Sequence, residues 1–356
     1  MTVTTGNGGL AGNGGLAGNG GLAGNGGPVS NGGPVSTADQ RFARQMEVLA
    51  AEADVLSGRR LEWNQLFGGL AHVTYAVTAS GSDRYVVKFL TQEMDDFGLM
   101  IPIGDLIANT VAAGESGVGA RVLQALPGVP AIVLEYIDGR TLDTPDLSRP
   151  EYIPRIGRAI RDLHTQAPPM SNSIVIWKFL DDYLALLARH ALASPPGLLD
   201  WLPTMRRIQA ALAVNQLPAV PSNNDLLAKN IMDDGRIRLI DYDFSGMNDP
   251  MFDVGDLAME GDYDADQVQL ACEAYFGAHD PVQYARARLF GIAAQYTWSL
   301  LFVGMDKLLS DSPAEAFDYW QEAVSRWDWT RGKLEDPSLE SLIAAAGAGG
   351  GPGRSS

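Results

Sequence analysis

Cysteine is almost absent. The 356-residue chain carries one, Cys272, so no disulfide can form within it, which fits a reducing compartment. Cys272 lies in an apolar-periodic stretch with Val268, Leu270, Tyr275 and Phe276, and reads as a small buried hydrophobe rather than a nucleophile. Histidine is scarce as well. His72, His164, His190 and His279 lack metal-ligand spacing, which argues against a histidine-built metalloenzyme. His164, after Leu163 on an apolar helix face, reads as a packed or capping residue. Positive charge is in deficit: 26 Lys and Arg stand against 43 Asp and Glu, a formal net charge of -17. That balance argues against a nucleic-acid binder, whereas an acidic cleft would concentrate a cationic ligand. No run approaches the ~18 uncharged apolar residues of a membrane span. The most apolar stretch, 290–305, is too short and holds Gln295 and Thr297. No basic segment followed by an apolar run marks a secretory signal. The expectation is a cytoplasmic protein with neither nucleic-acid nor membrane partners.

What is abundant is glycine, 40 residues, and apolar residues at 46%. Many of the glycines fall in 6–36, where GNGGLA repeats three times and decays into GNGGPVS and NGGPVS. One Leu per unit cannot offset the backbone entropy of so much glycine, so 1–36 is expected to be disordered. The same reasoning makes 343–356, which contains AAAGAGGGPGRSS, a flexible tail. Between them lies enough apolar sequence for one large core, or for two packed lobes sharing a cleft.

A helix capped by Thr37 or Asp39 carries Phe42, Met46, Leu49 and Val55 as its stripe and ends at Gly58. LEWNQLF reads as a strand. Val73, Tyr75 and Val77 alternate with Thr74, Ala76 and Thr78 as a second, and RYVVKFL returns after a Gly81-Ser82-Asp83 turn, making 61–90 an antiparallel meander. A helix over 105–115 precedes a strand pair, ARVLQAL and AIVLEYI, turning at Pro127-Gly128. After Gly139 the pattern is helical: Ile156, Ile160 and Leu163 line one face, and further helices are expected at 179–193, 201–214, 267–276, 282–305 and 314–327. One β island, NIMDDGRIRLIDYDF, interrupts with an Asp234-Gly235 hairpin turn. The expected class is α+β: a small antiparallel β lobe over 37–138 and a larger, mainly helical lobe over 139–342.

The order of polar residues within this layout suits phosphoryl transfer. That chemistry needs a lysine on the phosphates, oxygen ligands for a divalent cation, and a carboxylate beside the attacking hydroxyl. Asp225 and Asn230 in SNNDLLAKN have the D-x4-N spacing of a kinase catalytic loop. Asp241 ends the apolar strand that follows the hairpin, and Asp243 lies two residues on, placed to support a second metal site. The bland reading is a set of loop caps and Asx turns. Lys88 weighs against it, because it falls on the third strand after a glycine turn. Gly68 and Gly69 would let the backbone approach phosphates there, although a hairpin turn needs no ligand. Glu135, Tyr136 and Ile137, in the segment joining the lobes, offer backbone groups to a nucleotide base, against the plain alternative of a strand and turn. No G-x-x-x-x-G-K-[ST] is present, so a P-loop site is not supported.

The motifs GGLAHVTYAV, YVVKF, IVLEYIDGRTL, NDLLAKNI and RIRLIDYDFSGMNDPMFDVGDLA, taken in order, resemble those of choline/ethanolamine kinase-like members of the aminoglycoside phosphotransferase group. The resemblance covers about 61–327 and implies a two-lobed, protein-kinase-like fold. It further implies ATP and Mg2+ as cofactors, Asp225 as catalytic base, Asn230 and Asp241 as metal ligands, Lys88 on the ATP phosphates, and Asp253 as a brace of the catalytic loop. The implied acceptor is a small cationic amino alcohol, choline or ethanolamine, with an aminoglycoside or other hydroxylated amine as the alternative. Asp256, Glu260 and Trp298 are the candidate acceptor-site residues. Two departures stand out. Asn223 occupies the place of the family's loop histidine, and Leu106, with Asp105 beside it, that of the acidic partner of the lysine. Both keep open a nucleotide-binding pseudokinase.

Overall fold

The alternation of β-branched and aromatic residues over 73–89 forms the strands it predicts. A computed structural model describes residues 37–66, 72–91, 100–126, 128–309 and 317–348; the glycine repeat, Gly68, Gly69 and Pro127 lie outside them. Five strands, β1 (Leu61–Leu66), β2 (Val73–Ala79), β3 (Asp83–Phe89), β4 (Val122–Leu126) and β5 (Ala131–Glu135), form an antiparallel sheet in the order β1-β2-β3-β5-β4. The helix α1 (Thr37–Glu52) lays Met46 and Leu49 on one face of it, against Val77, Val87, Phe89 and Val133. Because strand side chains alternate, Lys88 faces away from the core that holds Val87 and Phe89. The helix α2 (Ile103–Glu115) buries Leu106 in a separate small cluster with Leu90, Ile101 and Ile174.

The C-terminal region is helical around a few very short strands. It comprises β6 (Arg140–Thr141), α3 (Thr144–Leu147), α4 (Ile153–Gln166), α5 (Ile176–His190), α6 (Leu202–Leu212), β7 (Val220–Ser222), β8 (Ile231–Asp233), β9 (Ile237–Leu239) and β10 (Gly246–Asn248). Then follow α7 (Pro250–Glu260), α8 (Ala265–Phe276), α9 (Pro281–Leu309), α10 (Tyr319–Leu334) and α11 (Leu339–Gly347). The chain is therefore α+β, with the expected meander and the expected hairpin, β8 against β9, turning at Gly235 with φ 101°. Cys272 is buried and its thiol is pushed up to about 12 by desolvation, as a packed hydrophobe requires. Among the described residues no helix is long and apolar enough to cross a membrane.

Three expectations need correction. Residues 343–347, read as flexible tail, are the end of α11, and Ala346 is fully buried against the large core. The helix expected from 314 begins at Tyr319, where Asp318 caps it by accepting from the Gln321 N–H. The helix α7 forms where the sequence expectation holds no helix, although Asp249 is its N-cap and Pro250 its first residue, both ordinary start signals.

Glycine sets the position of α7. A Cβ at Gly255 would stand 2.3 Å from the Ala287 carbonyl oxygen and 2.8 Å from the Gly291 nitrogen, so α7 and α9 touch backbone to backbone. Gly255→Ala is therefore expected to destabilise by about 1–3 kcal/mol through forced separation of the helices. Gly332→Ala, on the exposed face of α10 with open space around it, should be neutral or slightly stabilising. Urea melts of the two variants check this; equal stabilities would contradict it.

Candidate active site

Three separate parts of the chain bring charge together where the sheet meets the helical region. Lys88, on β3, is buried, and its Nζ donates to Asp241 Oδ1 at 2.7 Å and to Asp243 Oδ1. Burial disfavours the ammonium, yet the charges of Asp241 and Asp243 outweigh it and hold the lysine pKa above its usual value. Burial likewise pushes the Asp241 carboxyl up, but Lys88 reverses this and leaves it at about 2. Asp243 carries the opposite outcome. Desolvation and the Asp241 charge push it up to about 8. Asp241 has φ 63°, a left-handed conformation that Asp tolerates better than most residues and that ends the β9 extension abruptly. His72, directly before β2, places Nε2 3.8 Å from Asp243 Oδ1. Sequence reading missed this neighbour, although the pairing of Thr74 with Lys88 puts the start of β2 beside the lysine.

The second part is the loop between β7 and β8. Asn230 Nδ2 donates to the Asp225 backbone oxygen at 2.9 Å and to Asp225 Oδ2 at 3.0 Å. That leaves Asn230 Oδ1 without a donor among the described residues. Asp225 is partly exposed, and its carboxyl is pushed up to about 7, by burial first and by the Asp241 charge next, against the Lys229 cation.

The third part is α7, whose acids at 253, 256 and 260 follow the i, i+3, i+7 spacing of one helix face. Asp253, 0% exposed, accepts from the backbone N–H of Asn223 at 3.0 Å and of Asn224 at 2.8 Å. It also accepts from His164 Nε2 at 2.9 Å. A carboxylate only accepts, so Nε2 carries the proton, and Nδ1 meets the Tyr275 hydroxyl at 2.9 Å. Asp256, 2% exposed, accepts from the Leu226 N–H at 2.6 Å. It therefore holds the loop from beneath instead of facing open space, which corrects its reading as an acceptor-site residue. Burial, then the charges of Glu260 and Asp225, push its pKa well above the carboxylate range. Glu260 is engaged by Arg326, whose Nη1 donates to Glu260 Oε1 at 3.1 Å. Trp298 packs against Phe244, the residue after Asp243, with ring centroids 5.2 Å apart.

The segment between the lobes has two features. The Glu135 carboxylate accepts from Arg238 Nη2 at 2.7 Å and from the Arg121 N–H at 3.1 Å. Beyond it, the backbone groups of Tyr136 and Ile137 bond to no other backbone group among the described residues, and the Tyr136 ring lies under the Arg84 guanidinium.

Against known proteins, the choline/ethanolamine kinase family model matches residues 106–275, a span that contains Asp225, Asn230, Asp241, Asp243 and Asp253. Ethanolamine kinase 2 of Rattus norvegicus is 26% identical over 54% of this chain and 56% of its own length. The chain spans about half the length of the curated relatives it matches. A crystal structure of a choline/ethanolamine kinase family protein from Mesorhizobium loti superimposes with a TM-score of 0.74 at 26% identity, covering 86% of this chain and 100% of that one. Over residues 106–275 the chain is similar to choline/ethanolamine kinases, and it shares the fold of the superimposed structure. An aminoglycoside 2'-phosphotransferase-IIIa shares the fold at 13% identity, with a TM-score of 0.55 over 85% of this chain and 99% of that one.

The two departures of this kinase-like chain have structural answers. Asn223, fully buried, donates through Nδ2 to the carbonyls of Ile240 at 3.3 Å and Asp241 at 3.0 Å, and accepts through Oδ1 from the Asp225 N–H at 3.1 Å. It ties the Asp225 loop to the Asp241 turn with both ends of its amide. Leu106 is buried among apolar neighbours and Asp105 accepts from the Ser171 hydroxyl, so α2 supplies no acid to Lys88. Lys88 instead donates to Asp241 and Asp243.

Proposed function

We propose that the protein is an ATP-dependent kinase that phosphorylates the hydroxyl of a small amino alcohol. The observation that carries this reading is the convergence of Lys88, Asp241, Asp243, Asn230 and Asp225, drawn from positions up to 155 residues apart. Charged groups of this kind are not gathered in a cleft for stability, since burying them costs more than it returns.

The donor set fits the implied cofactors. Mg2+ takes oxygen ligands and keeps several from water and phosphates, so one or two carboxylates with an amide oxygen suffice. Asp241, Asp243 and the undonated Asn230 Oδ1 supply them. Lys88 is held as a fixed cation for the phosphates. Tyr136 and Ile137 offer backbone donors and acceptors for adenine, with Glu135 anchoring the segment; Gly68 and Gly69 would contribute backbone N–H groups. When bound, the metal neutralises charge developing on the transferred phosphoryl group.

In the transfer, the acceptor hydroxyl oxygen forms a bond to the γ-phosphorus as the bond from that phosphorus to the ADP oxygen breaks. The hydroxyl proton passes to Asp225, a base poised near neutral pH and oriented by Asn230. Asp253, Asp256 and Asn223 keep the loop in register for this. The curated relatives are named for ethanolamine, and the site's acids suit a cationic acceptor.

The test is ADP release from ATP, with and without magnesium, against ethanolamine, choline and two aminoglycosides. Magnesium-dependent release stimulated by an amino alcohol supports the reading. ATP binding without release for any acceptor favours a pseudokinase.

A further inference from the structure

One helical turn beyond Asp256, which holds the Asp225 loop, Glu260 keeps a cation of the chain's own. Arg326, on α10, is 8% exposed. Its Nε donates to Glu322 Oε1 at 2.7 Å, and its Nη1 donates to Glu260 Oε1 at 3.1 Å and to Gln295 Oε1 at 2.9 Å. The guanidinium carbon stands 5.1 Å from the centroid of the Phe302 ring. Glu260 belongs to the α7 face whose earlier acids hold the Asp225 loop, and both Glu260 and Arg326 act on the charge of Asp225.

A carboxylate next to an aromatic face is what a quaternary ammonium needs, because it carries no N–H and is bound by charge and ring quadrupole alone. Here that equipment is already filled. Glu260 and the Phe302 face both hold the guanidinium. Among the described residues, Phe302 also has Phe317 and Tyr319 as aromatic neighbours, at 6.1 and 6.4 Å between centroids. Trp298, the other candidate, is packed between Phe244 and Phe179. What stays uncommitted is hydrogen-bonding capacity: among the described residues the Oε2 atoms of Glu260 and Glu322 accept from no donor. A primary ammonium brings three N–H donors to such oxygens; a trimethylammonium brings none.

Resting on the amino-alcohol reading above, we infer that Arg326 makes the acceptor site selective for primary ammonium alcohols of the ethanolamine type and excludes quaternary ammonium alcohols of the choline type. The residue sets specificity by occupying the aromatic face and leaving carboxylate oxygens as the recognition element. A site that rejects a head group lacking N–H discriminates more strongly than one that only senses its size.

The experiment is a methylation series: kcat and KM for ethanolamine, N-methylethanolamine, N,N-dimethylethanolamine and choline, with wild type and Arg326→Lys. Lysine keeps a positive charge between the two glutamates but withdraws the planar group from Phe302. Wild type should favour ethanolamine over choline by about tenfold or more in kcat/KM, chiefly through KM, with a decline at each methyl. Arg326→Lys should narrow that ratio at least about threefold. Choline used as well as ethanolamine by wild type overturns the inference and leaves the kinase reading standing, as does an unchanged ratio in a folded Arg326→Lys protein. If the variant does not fold, the wild-type series decides alone. Turnover of none of the four overturns the amino-alcohol reading and this inference with it.

Discussion

Asp225→Asn is expected to lower the rate of phosphoryl transfer by about 10²–10⁴-fold while leaving the fold intact. The substitution keeps the shape of the side chain. It also keeps an oxygen for the Asn230 amide, whose bonds to Asp225 run to both the backbone and the side chain. What it removes is the ability to take a proton. Nucleotide affinity should stay near wild type, because Lys88, Asp241 and Asp243 form a separate group of contacts. Steady-state kinetics with a nucleotide-binding titration check both halves. A rate within about threefold of wild type would contradict the assignment of Asp225 as base.

Asp253→Ala should be the most destabilising single change in the site, by about 3–5 kcal/mol. Its carboxylate is shut from solvent and accepts three hydrogen bonds, two from the backbone of the Asp225 loop and one from His164. Truncation leaves those three donors buried and unpaired, and each such donor costs about 1–3 kcal/mol. Asp253→Asn should fall between the two, since its amide can accept from one donor but turns its own N–H groups on the others. Urea denaturation of the three proteins checks the order. A loss below about 1 kcal/mol for the alanine variant would mean the loop is held mainly by Asn223 and Asp256.

Much of this was legible from the residues. Alternation at 73–78 and the Asp234-Gly235 turn specify a meander and a hairpin because both signals are local and of fixed period. The ordered spacing of Lys88, Asp225, Asn230, Asp241 and Asp243 anticipated side chains that do meet, with the lysine bonded to both aspartates and the asparagine to Asp225. Strands of two or three residues, such as β6, β7 and β10, offer too few positions for any period to show.

Harder to read were contacts set by tertiary approach. In the sequence, Asp256 and Glu260 read alike as acids shortly after Asp241. Only the packing of α7 shows one bonded beneath the loop and the other to an arginine 66 residues away. Arg326 itself gave no signal, standing in a helix among Trp327, Asp328 and Trp329 like any amphipathic arginine. The start of α7, by contrast, is legible in Asp249 as N-cap and Pro250 as first residue.

The central claim is that phosphate passes from ATP to an alcohol at this cleft. Its most direct test is a ³¹P NMR record of ATP, magnesium and ethanolamine with the protein, run alongside Asp225→Asn. Wild type should give a new phosphomonoester signal growing in step with ADP, and the variant should form both at least about a hundredfold more slowly. ADP with inorganic phosphate and no ester, or an ester formed equally by both proteins, would contradict it.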